Sequence, residues 1–391
     1  MVTIDVLQRW GSTLALFSAG SVYVAYYLKR VVKRPMFACG NKKLEGFLRS
    51  HVPSAFQAYW PPFWCFQSHA HTILAVLFRL FIRKSYRREF TTTPDGGEII
   101  LDWLDANESS NISSDRRPTV LIMPGLTGSS QESYIKHYAD DMQRLGFRSV
   151  VMNQRGYGGS KLRKLKRTSQ SLVQHLSHPV FSTTTMANAL LCKYAKRILC
   201  CIILLNYLAE YGSKAPLVGV LSVSAAWDLL KSNKSLEENL NWLLFNRFLT
   251  SNLRSYLKRN KHMIEDKYNV DHILESRTLY QFDNRVTAKM FGYKDATDYY
   301  THASPYNKLN KIKVPTLCLN AADDPFAPLP TLPLTSANES SHVAMVVPMY
   351  GGHLGFMLGA IPIGKTLINR VFSEFMTAMF NHEDEMSKIT R

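Results

Sequence analysis

The stretch PTVLIMPG, residues 118–125, decides the fold that this sequence predicts. An unbroken apolar run from Val120 to Met123 is followed by Pro124 and Gly125, which mark a turn. A half-buried strand alternates polar and apolar residues, whereas an unbroken run is typical of a strand that is buried on both faces. Such strands belong to a parallel sheet that helices cover on both sides.

Outward from this stretch, strands and helices alternate. The stretch TPDGGEIILDW, residues 93–103, predicts a turn at Asp95 and Gly96 that leads into a strand. Residues 130–145 have a helical pattern that ends before Gly146. Further strands are predicted within residues 147–153, 216–228, 314–320 and 343–347, and a closing helix within 363–380. The fold class is therefore α/β, with a mostly parallel sheet over residues 91–382 and a helical lid at about 229–303.

Two late strands end in residues that suit acyl-transfer chemistry. Asp323 and Asp324 follow one strand, and His353 follows the next, after Gly351 and Gly352. A carboxylate that accepts the ring N–H of a histidine fixes its tautomer, although a lone Asp at a strand end is more often a cap or turn residue. An Asp and then a His after successive late strands is the order found in α/β-hydrolases. The loop PGLTGSS, residues 124–130, is able to aim the backbone N–H of Leu126 at an oxyanion.

From about residue 35 to residue 382 the chain resembles the membrane-anchored α/β-hydrolase domain-containing proteins 1 and 3. The matching phrases include PGLTGSSQESYI, NQRGYGGS, LNWLLFNRFLT, QFDNRVTAKMFGY, DYYTHASP, NAADDPFAP and GGHLGF. The resemblance implies a carboxylester or phospholipid acyl hydrolase, with Asp324 as the catalytic acid and His353 as the base. It implies a lipid or acyl-ester substrate and no cofactor.

The nucleophile that this family requires is missing. The resemblance places the serine elbow directly before IILLNYL, residues 202–208, where Ile198 occupies the position of the serine. The motif G-x-S-x-G occurs nowhere in the sequence. Cys200, Cys201 and Ser224 are substitutes to consider, but Lys196 and Cys200 stand where the sharp elbow needs glycine. We therefore predict that the chain is inactive as a serine hydrolase, with a non-catalytic lipid-binding or scaffold role as the alternative.

The block of residues 161–201 departs from the family along its whole length. It contains eight basic residues and no Asp or Glu, yet the spacing to the next family phrase is close to that of the family. A segment read out of frame and genuine divergence are the two explanations that the sequence leaves open. Because the block should supply the central strand, its foreign composition predicts damage to the sheet.

The amino terminus predicts membrane attachment. Residues 11–28 carry no charge and, at about 1.5 Å per residue, are long enough for a bilayer core. Lys29, Arg30, Lys33 and Arg34 follow directly. We expect residues 1–34 to form a single-pass anchor, with the main domain in the cytosol. The expected location is an endomembrane, the endoplasmic reticulum. An aromatic connecting region, residues 35–90, and a polar tail, residues 383–391, complete the division.

Composition limits the other classes of function. The formal net charge is +17. Eight basic residues without an acidic one lie in the block 161–201 and four more at residues 29–34, without the basic-aromatic interleaving of an RNA-binding surface. We expect no nucleic-acid partner, and the oligomeric state is open. The six cysteines show no paired spacing, and Cys65, His69 and His71 form at most a partial metal motif, so no metal site is predicted.

Overall fold

The computed structural model describes residues 2–79, 82–92, 98–106, 118–125, 128–153, 156–159, 189–194 and 199–390. The strands of this part of the chain are β1 (Met36–Ala38), β2 (Arg87–Thr92), β3 (Glu98–Leu104), β4 (Thr119–Met123), β5 (Arg148–Asn153), β6 (Ala189–Tyr194), β7 (Val220–Val223), β8 (Thr316–Leu319) and β9 (Val343–Val347). They form one sheet in the order β1-β9-β8-β7-β6-β4-β5-β3-β2. The strands from β9 to β5 in this order are parallel, and β1, β2 and β3 pair antiparallel at the two edges. The predicted, mostly parallel sheet is confirmed.

The helices of the described residues are α1 (Val2–Tyr26), α2 (Lys42–His51), α3 (Ser68–Phe78), α4 (Ser133–Arg144), α5 (Leu199–Tyr211), α6 (Leu229–Glu237), α7 (Asn239–Asn241), α8 (Arg247–Arg259), α9 (Val270–Leu274), α10 (Leu279–Phe282), α11 (Ala288–Phe291), α12 (Ala296–Ala303), α13 (Leu334–Glu339), α14 (Leu367–Asn381) and α15 (Glu383–Thr390). Single π-helical turns occur at Tyr27–Val31, Trp242–Asn246 and Asp283–Thr287.

Alternate residues of β4 belong to two different hydrophobic cores, one on each face of the sheet. Val120 and Ile122 pack in a cluster with residues of α2, α4 and α14. Leu121 and Met123 pack in a second cluster with residues of α5 and α13. All five residues of β4 are buried. The apolar run is continuous because helices cover both faces of the sheet at this strand, as predicted.

The lid occupies the predicted place in the chain. Helices α6 to α12 lie between the end of β7 and the start of β8. They have an apolar cluster of their own, which includes Leu236, Phe245, Leu253 and Val286 and also takes in Phe326 from the loop after β8. The lid is thus packed onto the edge of the sheet where the predicted site residues lie.

The predicted damage to the central strand is not seen. Residues 189–194, which belong to the atypical block, form β6 between β4 and β7, with Leu191 in register with Leu121 and Val220. The run Ala189–Leu191 is apolar, which is the composition expected of a strand in the middle of such a sheet. The rest of the block, residues 160–188 and 195–198, lies outside the described residues.

Two helix boundaries differ from the sequence prediction. The closing helix α14 begins at Leu367 rather than at residue 363, because the Thr366 and Asn369 side chains form a reciprocal capping box. The predicted polar tail forms α15, and Met386 of this helix is buried. The predicted turn at Asp95 and Gly96 lies outside the described residues, although β2 and β3 pair as a hairpin would require.

The amino terminus does not confirm a transmembrane anchor. Within the described chain, no helix combines the length and the apolarity that crossing a bilayer demands. The stretch 11–28 lacks charge, but nine of its 18 residues are Gly, Ser, Thr or Tyr, so its apolarity is diluted. The π-helical turn after α1 contacts the aromatic region, because the Tyr27 hydroxyl donates a hydrogen bond to the Pro61 carbonyl (2.5 Å).

Candidate active site

The two predicted site residues lie together at the carboxyl ends of β8 and β9. His353 Nδ1 is 2.9 Å from Asp324 Oδ2 and 3.1 Å from Oδ1. Asp324 is fully buried, and its Oδ1 also accepts the backbone N–H of Phe326 (2.8 Å). A carboxylate in this position holds the imidazole ring in one orientation and assigns the proton to Nδ1. The geometry fits the predicted roles of acid and base.

The other nitrogen of His353 faces no partner. His353 Nε2 is buried and has no hydrogen-bond partner among the described residues. The ring of Phe326 stacks on the imidazole, with centroids 4.1 Å apart and an interplanar angle of 26°. In a serine hydrolase the corresponding nitrogen takes the proton of the nucleophile. The structure therefore presents a positioned base whose working atom is unused.

The neighbouring carboxylate, Asp323, has a different task. Its Oδ1 accepts the backbone N–H of Gly352 (2.9 Å), which ties the β8 loop to the loop that carries His353. Burial raises the pKa of Asp323 to about 7, although the N–H groups of Gly352 and Gly351 act in the opposite direction. The sequence left the choice between the two acids to the resemblance, and the geometry assigns ring orientation to Asp324 and loop support to Asp323.

Helix α3 lies against the histidine loop, and sequence reasoning missed this contact. The Thr72 hydroxyl accepts the backbone N–H of His353 (2.9 Å). Gly352 has φ +57°, and a Cβ added there would lie 2.4 Å from the Ser68 carbonyl oxygen and 2.7 Å from Thr72 Oγ1. The predicted need for glycine is confirmed here by both conformation and contact. No local pattern in residues 68–78 signals this role, because the partner lies more than 270 residues away.

The loop after β4 is held by a buried polar cluster. The Ser130 N–H donates to Asn153 Oδ1 (2.8 Å), and the Ser130 hydroxyl donates to Asp102 Oδ2 (2.5 Å). Burial acts to raise the pKa of Asp102, but hydrogen bonds from Arg88, Ser130 and Asn153 bring it below its usual value. Leu126, the predicted oxyanion donor, lies outside the described residues. Gly128 of the same loop lines the cavity beside His353.

A largely apolar cavity of about 410 Å³ opens beside the base. Its walls come from α3, from the lid and from the two site loops, and its lining residues include Ile73, Val76, Leu77, Leu244, Phe245, Phe248, Leu249, Phe326 and His353. Three of the α3 side chains are also exposed at the surface: Ile73, Val76 and Leu77. A concave apolar site with few polar groups is typical of a small-molecule or acyl-chain site.

The substitute nucleophiles do not reach the base in the described part of the chain. Residues 195–198 connect β6 to α5, the position of a nucleophile elbow, and lie outside the described residues. Cys201 is fully buried, and its thiol lies 3.4 Å from the Val223 carbonyl oxygen. Ser224 follows β7 with φ +50°, and its hydroxyl accepts the Leu354 N–H at 3.4 Å. The side chain of Cys200 lies outside the described part of the structure.

The partial metal motif is not assembled. His71 is fully buried, with its Nε2 2.8 Å from the Cys65 carbonyl oxygen, and burial lowers the pKa of His71 to about 4. His69 Nε2 lies 2.7 Å from Asn241 Oδ1 of the lid. The Nε2 atoms of both rings thus lie within hydrogen-bond distance of protein oxygens. In a separate place His51, His382 and Glu385 bring their ligand atoms within 4.8 Å of one another.

The strand order, the lid between β7 and β8 and the Asp–His pair define an α/β-hydrolase. The chain is 38% identical over 381 residues to phospholipase ABHD3 from Mus musculus, which is 97% of this chain and 93% of the relative. It belongs to the ABHD family of α/β-hydrolases that includes this phospholipase. It is also 24% identical over 396 residues to monoacylglycerol lipase ABHD2 from Macaca fascicularis, with 92% of this chain and 89% of the relative covered.

A solved structure with a similar course of the chain is Est1E from Butyrivibrio proteoclasticus with bound ferulic acid. The TM-score is 0.47 at 12% identity, and the match covers 75% of this chain and 99% of Est1E. The chain matches no family model.

Proposed function

We propose that this protein binds a lipid acyl ester in the cavity beside His353, at a membrane surface, and does not hydrolyse it through a serine acyl-enzyme. The observation that carries the proposal is the buried His353 Nε2, which has no hydrogen-bond partner among the described residues. The cavity beside it is lined mainly by apolar side chains, which suits an acyl chain. The names of the two relatives offer phospholipids and monoacylglycerols as candidate ligands.

The absence of turnover follows from the sequence at the elbow. Residues 195–198 read AKRI, so the position between β6 and α5 offers no hydroxyl or thiol. Asp324 and His353 then have no proton to take from a nucleophile. Loss of one member of a catalytic triad lowers the rate by about 10⁴ to 10⁶.

Membrane attachment is the second part of the proposal. The side chains of Leu14, Leu16 and Phe17 on α1 are more than 60% exposed. The aromatic region that contacts α1 also exposes Trp60 and Phe63. The basic residues 29–34 follow α1 and favour an anionic lipid surface. We place the protein at an endomembrane, with residues 1–34 as its attachment segment.

The experiment compares the purified full chain with a variant in which the elbow is rebuilt by Lys196→Gly, Ile198→Ser and Cys200→Gly. A fluorophosphonate probe should leave the natural chain unlabelled and should label the rebuilt variant at residue 198. Adding His353→Ala to the rebuilt variant should abolish this labelling, because the serine then lacks its base.

Two results would contradict the proposal. One is labelling of the natural chain that maps to Cys200, Cys201 or Ser224. The other is ester turnover by the natural chain that disappears with His353→Ala. A transcript that encodes G-x-S-x-G in another frame over residues 161–201 would assign the inactivity to this form of the chain alone.

A further inference from the structure

Arg79 places a buried positive charge on the wall of the cavity. It follows α3 directly, is only 6% exposed and lines the cavity together with His353. Its Nη2 donates to the Leu354 carbonyl oxygen (2.7 Å), and its guanidinium lies over the ring of Tyr134 at 5.7 Å. Within the described chain, no carboxylate forms an ion pair with Arg79.

A buried charge without a counter-ion is unfavourable. Removing an ion from water is unfavourable unless a partner of opposite charge compensates it. The carbonyl and the aromatic face offset part of this cost, and most of the guanidinium donors remain available to a ligand. A guanidinium presents these donors as a planar fork, which matches the oxygens of a phosphate.

Arg79 lies close enough to His353 for one lipid to reach both, with its phosphate at Arg79 and its ester at His353. Its hydrogen bond is to the residue that directly follows His353, so an anion bound by Arg79 lies close to the base. In a glycerophospholipid the phosphate and an acyl ester are only a few bonds apart. A neutral glyceride offers hydroxyl groups there and leaves the charge of Arg79 uncompensated.

We propose that Arg79 anchors the phosphate group of the bound lipid, so that the cavity selects phosphate-bearing lipids over neutral glycerides. This inference rests on the proposed function, because it assumes that the cavity holds a lipid. Arg254 of helix α8 is exposed and does not line the cavity, which makes it a matched site for a control variant.

The test uses two ether probes of equal chain length, decylphosphocholine and 1-O-decylglycerol, neither of which contains an ester. Their dissociation constants are measured by calorimetry on the full chain, below the concentrations at which the probes form micelles. Arg79→Gln should raise the dissociation constant of decylphosphocholine by about tenfold to a hundredfold, as expected for the loss of a charge-assisted hydrogen-bonded pair. It should leave the binding of 1-O-decylglycerol unchanged, and Arg254→Gln should not weaken the binding of decylphosphocholine.

The outcomes separate this inference from the proposed function. If Arg79→Gln weakens the binding of both probes equally, Arg79 only supports the His353 loop. If it weakens the binding of neither, Arg79 does not bind the ligand. Either result overturns the inference and leaves lipid binding intact. Binding of neither probe to the natural chain overturns both. If Arg79→Gln does not fold, Arg79→Lys decides: loss of the fork should still lower the preference for decylphosphocholine over 1-O-decylglycerol.

Discussion

At the scale of single residues, Gly352 shows how closely the base is held. The backbone of the His353 loop passes directly beneath α3, and Gly352 has both a left-handed conformation and a neighbouring backbone oxygen. Thr72 then fixes the N–H of His353 from the same helix. The orientation of the base therefore depends on a contact with α3 as well as on Asp324.

We predict that Gly352→Ala destabilises the protein much more than Gly359→Ala. Both glycines have positive φ, +57° and +75°, so both substitutions should cost about 1 to 2 kcal/mol from conformation. Only Gly352 has a backbone oxygen 2.4 Å from the added Cβ, whereas Gly359 has nothing within 4 Å. The overlap should add about 1 to 3 kcal/mol, measured by denaturant unfolding. Equal losses for the two variants would mean that the loop moves away from α3 without difficulty.

At the scale of elements, α1 and α3 carry the exposed apolar side chains to which the proposed function assigns lipid access. The exposed α3 residues Ile73, Val76 and Leu77 also line the cavity, so an acyl chain at the surface meets the cavity wall directly. Helix α1 exposes larger apolar side chains beside the same aromatic region. Exposed apolar faces of this kind are typical of surfaces that contact a membrane or a partner.

We predict that Leu16→Ser with Phe17→Ser strongly reduces flotation of the protein with phosphatidylcholine–phosphatidylserine vesicles. The two side chains are 74% and 72% exposed, so their replacement removes apolar contact with lipid without disturbing the core. Leu240→Ser on the lid, where the side chain is 51% exposed, is the matched control and should float like the natural chain. Unchanged flotation of the α1 variant would remove α1 from the attachment site.

At the scale of the whole molecule, two buried titratable groups beside the His353 loop, Asp323 and His71, have opposite effects on how stability changes with pH. Burial raises the pKa of Asp323 to about 7 from 3.8, so the folded state holds an extra proton between these values and stability falls as pH rises through them. Burial lowers the pKa of His71 to about 4 from 6.5, so the unfolded state holds the extra proton and stability rises with pH in that window. Each slope is about 1.4 kcal/mol per pH unit at most, and the two nearly cancel.

We predict that Asp323→Asn exposes the contribution of His71. The free energy of unfolding of this variant, relative to that of the natural chain, should increase as pH rises from about 4 to about 7. The reason is that the protonation of Asp323 no longer favours the folded state at low pH. The asparagine keeps an oxygen that accepts the Gly352 N–H. Urea unfolding across this range, with Asp266→Asn at an exposed site as control, measures the difference. A constant difference between Asp323→Asn and the natural chain would contradict the shifted pKa of Asp323.

The sequence by itself determined the sheet, the lid and the order of Asp324 and His353. Strands such as β4 are continuous apolar runs because both faces are buried, and that pattern is local. The missing serine is also a property of the sequence alone. Membrane attachment through the charge-free stretch 11–28 stays a prediction, and the strand β6 was missed because its few apolar residues lie in an atypical block.

Only the tertiary structure decided what surrounds the base. The contacts of Thr72 and Arg79 with the His353 loop join residues more than 270 positions apart, and no spacing in the sequence encodes such a pairing. The same holds for the division of labour between Asp323 and Asp324, which are chemically identical neighbours until the fold gives one the imidazole and the other a backbone N–H. Local patterns specify which faces are buried, whereas the partners of a polar group depend on which distant segments the fold brings to it.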